Sequence, residues 1–556
     1  MKLDVTSLYN RRRVNRWERV SVGDMLERLR YSFPDKEALV GWEGAYSHPD
    51  NARLTYLQAD NKANQFAHAL LQKGLNKGDK VLLFCDNSVE AFLAKIAVAK
   101  AGLVAVPMNT MMAPDVISYL INLVEPKLYI ADAEHWKKIE PVFNNHNIQL
   151  DITIPIGGEV VPGSQSFEEF YAGQPIDEPD VEIHGDDIWE MLFTSGTTTM
   201  PKCVMVSHTN TYMAAYSFAL SLTRGHQLEN QLRVCSFLPI IFHVADQIFA
   251  FSPFLSGGTF IIGRALNTTD IADAITNEKV TALWSGSPAF LTALTDLFIK
   301  ENDKYDPVSL KVIVYGWSAL SPDYTKKLKE ICGYDLVTFE IFGQTEAISC
   351  FRFWPDKWPE LHEQTAPAVN YVGVPNPLLA SVIMDENGKL ITESRIPGEA
   401  VYRSPAIMSG YYKDEEATRN AFKYGWFHSG DSCMYDENGL AIMVDRYKDI
   451  IKSGGENVSS IRVEAVLRLH PSVEKVAVIA LPHEKWGEMV TGVVVLKSGA
   501  SVVDEELIHF CRERLGGYET PKKIIFTDRL PETVGGKILK YRLREQFNGV
   551  EVRNNG

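Results

Sequence analysis

The strongest constraint on the fold is an alternation of short apolar runs with longer amphipathic ones. "KVLLFC" precedes "VEAFLAKIAVAKAG", "KLYIAD" precedes an amphipathic stretch, and "KVIVYG" precedes "SPDYTKKLKEICG". Repeated along a chain, this pattern gives βαβ units and largely parallel sheets with helices on their faces. Near residue 380 the texture changes to short strands and turns, as in "SVIMDENGKLI" and "GLAIMVDRYKDIIKSGGENV". A small terminal α/β unit follows, with strands "VEKVAVIAL", "MVTGVVVLK" and "KKIIFT" and the helix "EELIHFCRERL". At 556 residues the chain exceeds what a single core usually serves, so more than one domain is expected. The short polar segment at Asp445-Arg446-Tyr447-Lys448 is the natural place for a hinge.

A net charge of −15 argues against a nucleic-acid partner or an anionic membrane surface, so an anionic ligand must meet locally arranged donors. Seven scattered cysteines without a C-x-x-C pair suit a reducing cytoplasm and leave no zinc pattern. The opening "RRRVNRWERV" has no apolar segment behind it, so no secretory signal is expected. The apolar region from Cys235 to Gly263 is interrupted by His243, Asp246, prolines and a Gly-Gly pair; it reads as buried core and not as a membrane span.

Directly after the strand-like "IWEMLF" comes "TSGTTTMPK", residues 194 to 202. Its backbone N–H groups and hydroxyls can surround phosphate oxygens, and Lys202 adds a mobile cation. The P-loop spacing is missing, and in isolation the stretch fits a surface Ser/Thr turn equally well. Other segments accompany it in a fixed order: "FEIFGQTEAIS", "GWFHSGDSCMYDENG", "VDRYKDIIKSGGENVSS" and "LPETVGGKILKYRLR".

In order and spacing these segments resemble the adenylate-forming superfamily, and within it the AMP-forming acyl-CoA synthetases, over nearly the whole chain. The resemblance implies an α/β fold: a large N-terminal domain over 1–445, of parallel-rich sheets with flanking helices plus a small β-barrel-like part, a hinge at 446–448 and a small mobile C-terminal α/β domain over 449–556. It implies an enzyme that uses ATP and Mg²⁺ to turn a fatty or short- to medium-chain acid into an acyl adenylate, and then CoA to form the thioester. A homodimer is compatible with it.

By the same resemblance, ATP or AMP would be held by Thr194, Ser195, Gly196, Thr197, Thr198, Thr199, Lys202, Glu340, Gly343 and Gln344, with Gly316, Ser318, Ala319 and Phe342 around adenine. Thr345 would donate to the α-phosphate, Glu346 would hold the metal, and Asp431 would accept from the ribose hydroxyls with Arg446 beside it. Lys537 would bridge the attacking carboxylate and the α-phosphate, offsetting the charge that builds there. Lys448 would be the hinge residue, and Lys452, Ser453, Gly454 and Gly455 would line the path of CoA.

The acyl pocket would be formed by His243, Val244, Asp246, Trp284, Ser285, Gly286 and Trp317. Thr199, Cys203, Trp317 and Asp246 stand where the resembling family has glycine. Asp246 and Trp317 fit a shortened, partly polar pocket; Asp246 fits a hydrogen-bonded structural role equally well. Two rival functions stay open: adenylation for another acceptor, either a carrier-protein thiol or oxygen, and a non-catalytic acyl- or nucleotide-binding protein.

Overall fold

The apolar runs are strands and the periodic runs behind them are helices. The computed structural model describes residues 19–194, 200–367, 369–533 and 538–548. In it the strand Lys80–Phe84 leads to the helix Val89–Lys100, whose N-terminus is capped by Ser88 accepting from Ala91 N. This helix is buried all round, which explains its apolar composition. Its charged members Glu90, Lys95 and Lys100 therefore need buried partners. The strands Leu128–Asp132 and Val312–Gly316 and the helix Pro322–Cys332 fall on the other predicted runs.

A 14-stranded sheet has a parallel centre in the order Val337–Gln344, Val312–Gly316, Ala282–Gly286, Arg233–Ser236, Thr259–Ile262 and Glu37–Gly41. Beyond Val337–Gln344 the pairing turns antiparallel, through Ala347–Phe353 and Tyr371–Pro375 to Ala441–Arg446, Phe427–Tyr435 and Gly398–Arg403. The change of texture thus begins at Ala347, ahead of residue 380, because the tight turn at Thr345-Glu346 reverses the chain without a crossover helix.

An eight-stranded sheet is parallel from Ile188–Phe193 through Val104–Pro107, Lys80–Phe84 and Leu128–Asp132 to Gln165–Ser166, with Cys203–Ser207 and Gly410–Tyr411 antiparallel at one edge. One buried cluster joins the two sheets and includes Leu83, Ile96, Trp189, Phe249 and Trp284. A separate five-stranded sheet comprises Ile451–Ser453, Glu456–Val458, Val473–His483, Gly487–Leu496 and Lys523–Phe526. The helices Ser460–Arg468 and Asp504–Arg512 pack on this sheet.

The apolar region from Cys235 to Gly263 divides into the end of one strand, the short helices Asp246–Phe249 and Phe251–Leu255, and the strand Thr259–Ile262. No helix among the described residues is long and apolar enough to cross a membrane.

Candidate active site

Three neighbouring parallel strands end together at Gly286, Gly316 and Phe342–Thr345. Ligands of open α/β sheets bind beyond such carboxyl ends. Close backbone packing demands the glycines: a Cβ on Gly316 would lie 3.0 Å from Ile341 O, and one on Gly343 would lie 2.6 Å from Ser349 N. Because Gln344 pairs with Ala347, Thr345 and Glu346 form the tip of a tight hairpin. Ser318, Ala319, Phe342 and Gln344 are half-buried around this edge. Glu340 lies deeper; burial pushes its carboxyl up to about 8, and Oε2 has no hydrogen-bond partner among the described residues.

Tyr411 links the tip of this hairpin to the lysine that follows the hydroxyl-rich loop. Thr194 N donates to Lys202 O at 3.0 Å and Lys202 N donates to Thr194 Oγ1 at 3.1 Å, closing the base of the loop. Lys202 Nζ lies 4.5 Å from the centre of the Tyr411 ring, and Tyr411 Oη donates to Glu346 Oε1 at 2.8 Å. Tyr411 is brought here by the pairing of Gly410–Tyr411 with the strand that follows Lys202. Its hydroxyl takes one carboxylate oxygen of Glu346 and leaves the other for a hard cation. Mg²⁺ fits this donor chemistry, since it is commonly bound by one or two carboxylates together with substrate phosphates. Ser195, Gly196, Thr197, Thr198 and Thr199 lie outside the described residues. Cys203 is a buried strand residue.

Asp431 and Arg446 face each other across two antiparallel strands, with Nε to Oδ1 at 3.0 Å, and Asp431 is buried. The guanidinium is held charged first by Asp431, against the cost of burial, and further by Asp449 and Glu346. The predicted ribose, phosphate and metal residues therefore share one electrostatic neighbourhood.

The aromatic members of the predicted acyl pocket also converge. Trp284 stacks on Phe249 at 4.6 Å and 13°, and Trp317 tilts over Trp284 at 5.6 Å. Trp317 is 41% exposed and has φ +69°, a left-handed conformation that favours glycine. For a bulky side chain this is a strained backbone, of a kind that clusters at functional sites. Exposed His243 accepts from Ala245 N at Nδ1 (3.1 Å), which puts the proton of a neutral ring on Nε2.

One pocket assignment needs correcting. Asp246 does not present a carboxylate to an acyl group: it is fully buried and paired with Lys95, with Oδ2 to Nζ at 2.5 Å, because a buried charge takes the opposite charge at hand. Ser285 spends its hydroxyl on Val314 O, and Val244 packs with Leu192 and Val204 in another apolar cluster.

In the small domain Lys452, Ser453, Gly454 and Gly455 form a hairpin whose turn glycines have φ +62° and +91°, as a two-residue turn of that hand requires. A Cβ on Gly454 would come within 3.1 Å of the Trp486 ring. Lys448 lies in the turn in which Asp449 N and Ile450 N both donate to Arg446 O. Lys537 lies outside the described residues. Tyr411, Lys95 and Glu190 escaped sequence reasoning; only the aromatic pair in "SGYYKD" and charges inside apolar runs hinted at them.

Carboxylates and cations clustered at the carboxyl ends of parallel strands, beside the packed rings of Trp284, Trp317 and Phe249, suit a nucleotide-using α/β enzyme. The chain belongs to the AMP-binding enzyme family: that family's profile matches residues 26–412, and the profile of its C-terminal domain matches 462–537. The chain is 31% identical to the 4-hydroxybutyrate–CoA ligase 2 of Metallosphaera sedula, over 94% of this chain and 93% of that one. It is 32% identical to the long-chain-fatty-acid–CoA ligase FadD13 of Mycobacterium tuberculosis, over 91% and 95%. The crystal structure of ATP-bound MatB from Rhodopseudomonas palustris superposes with a TM-score of 0.80 at 26% identity, covering 95% of this chain and 99% of that one.

Proposed function

We propose that this chain is an ATP-dependent carboxylate–CoA ligase that releases AMP and pyrophosphate in two half-reactions and takes a compact acid. The arrangement of Lys202, Tyr411 and Glu346 beside the Asp431–Arg446 pair supports this reading. A carboxylate is a poor acyl donor. When its oxygen attacks the α-phosphorus of ATP, the bond to pyrophosphate breaks and the acid acquires AMP as a leaving group. The thiol of CoA then attacks the carbonyl, loses its proton and expels AMP.

Lys202 and the hydroxyl loop take the outer phosphates, Thr345 the α-phosphate and Asp431 the ribose. Mg²⁺ held at Glu346 would neutralise the triphosphate and the departing pyrophosphate. Lys537 serves the first half-reaction; rotation of the small domain about residues 446–448 would then replace it with the Lys452–Gly455 hairpin for thioester formation. The stack of Trp317, Trp284 and Phe249 favours a short or compact acid over a long alkyl chain. A cytoplasmic location and a homodimer belong to the same reading; fractionation and sedimentation test them.

AMP formation is measured with a panel of acids, with and without CoA. CoA-dependent turnover with compact acids is expected. Acid-dependent AMP release that is indifferent to CoA would point to another acceptor, and no ATP cleavage would point to a binding protein. Lys537→Ala should suppress acyl-AMP formation by orders of magnitude while presynthesised acyl-AMP still reacts with CoA.

A further inference from the structure

Lys95 sits in the middle of the buried helix Val89–Lys100, and its ammonium gathers oxygens from two distant parts of the chain. It donates to Ile241 O at 2.9 Å and to Asp246 Oδ2 at 2.5 Å, and it pairs with the Glu190 carboxylate. The side chains of Lys95, Glu190 and Asp246 are all 0% exposed. Stability is a weak reason for such a cluster. Desolvating charges costs so much that well-packed apolar replacements are often as stable or more so.

The cluster's position carries more information. Glu190 lies in the strand Ile188–Phe193, which runs directly into Thr194 and the hydroxyl-rich loop. Ile241 and Asp246 bracket His243, and Asp246 opens the short helix whose last residue, Phe249, stacks on Trp284. One ammonium therefore ties the strand carrying the phosphate loop to the segment walling the acyl pocket. We propose that Lys95 is a positioning residue for adenylation, fixing the spacing between these two segments so that the acid and the triphosphate meet in register. It touches neither substrate and acts through Glu190, Asp246 and the Ile241 carbonyl. The inference rests on the ligase reading above.

The test uses the full chain in acid-dependent ATP–pyrophosphate exchange, with thermal midpoints measured alongside. Lys95→Met/Glu190→Gln/Asp246→Asn removes the charges and keeps the shapes. It should retain the wild-type midpoint or exceed it, while kcat for exchange falls roughly tenfold and KM for the acid changes less, since small misplacements of reacting groups cost rate. Asp246→Asn alone should move kcat in the same direction by a smaller factor, and it decides the matter should the triple variant not fold. Folded variants with wild-type kcat for exchange would overturn the role of Lys95 and leave the ligase reading standing. Absence of acid-dependent exchange in the wild-type enzyme would remove the ligase reading and this inference together.

Discussion

Tyr411 Oη donates to Glu346 Oε1 at 2.8 Å, joining the edge of one sheet to the hairpin tip of the other. The bond fixes the rotamer of the carboxylate proposed above to hold the metal. A hydrogen bond to a charged group contributes about 1.5–3 kcal/mol. Tyr411→Phe keeps the ring beneath Lys202 and loses only this bond. Adenylation should fall roughly tenfold, with a higher Mg²⁺ concentration for half-maximal exchange. An unchanged Mg²⁺ titration would show that Glu346 needs no such support.

Lys448→Pro tests the hinge. Proline fixes φ near about −65° and removes an N–H, so rotation at this position is impeded while the adenylating arrangement survives. ATP–pyrophosphate exchange should persist as thioester formation falls. Parallel loss of both activities would place the pivot elsewhere.

Glu340 carries a pH signature. Burial raises its folded pKa to about 8, above an unfolded value near 4.5. A carboxyl raised in the folded state contributes stability that is fully present below the unfolded pKa. That stability is lost as pH rises through the folded pKa, at about 1.4 kcal/mol per unit at most. Glu340→Gln keeps the shape and removes the ionisation, so between pH 6 and pH 9 its thermal midpoint should fall less than that of the wild type. Identical slopes would mean that Glu340 is solvated in solution.

Local patterns carried the fold. The runs "KVLLFC" and "KVIVYG" are strands because strand and helix periodicity are written over a few consecutive residues. Thr345, Glu346, Asp431 and Arg446 also stood out individually within short motifs, although the hairpin tip and the Asp431–Arg446 pair themselves emerge only from the fold. The Tyr411–Glu346 bond spans 65 residues and the Lys95–Asp246 pair 151. No local pattern specifies which buried charge will meet which. Asp246 therefore read equally well as a pocket residue and as a structural one.

Trp317 supplies the last prediction. Its ring lies over Trp284, and its backbone holds a left-handed φ of +69° that glycine adopts freely. Trp317→Gly removes this strain, a stabilising change of about 1–3 kcal/mol. It also removes the ring's contact with Trp284, which opposes that gain, so the net change in midpoint should be small. The effect on specificity should be larger, because the wall beside Gly286 opens: a Cβ there would already touch the Trp317 ring at 3.0 Å. Preference in kcat/KM should shift toward longer acids by about 1–3 kcal/mol, the range of modest changes in an apolar pocket. The measurement is a homologous series of straight-chain acids with ATP and CoA, for wild type and variant. A profile that does not move would place the Trp317 ring outside the path of the acyl chain.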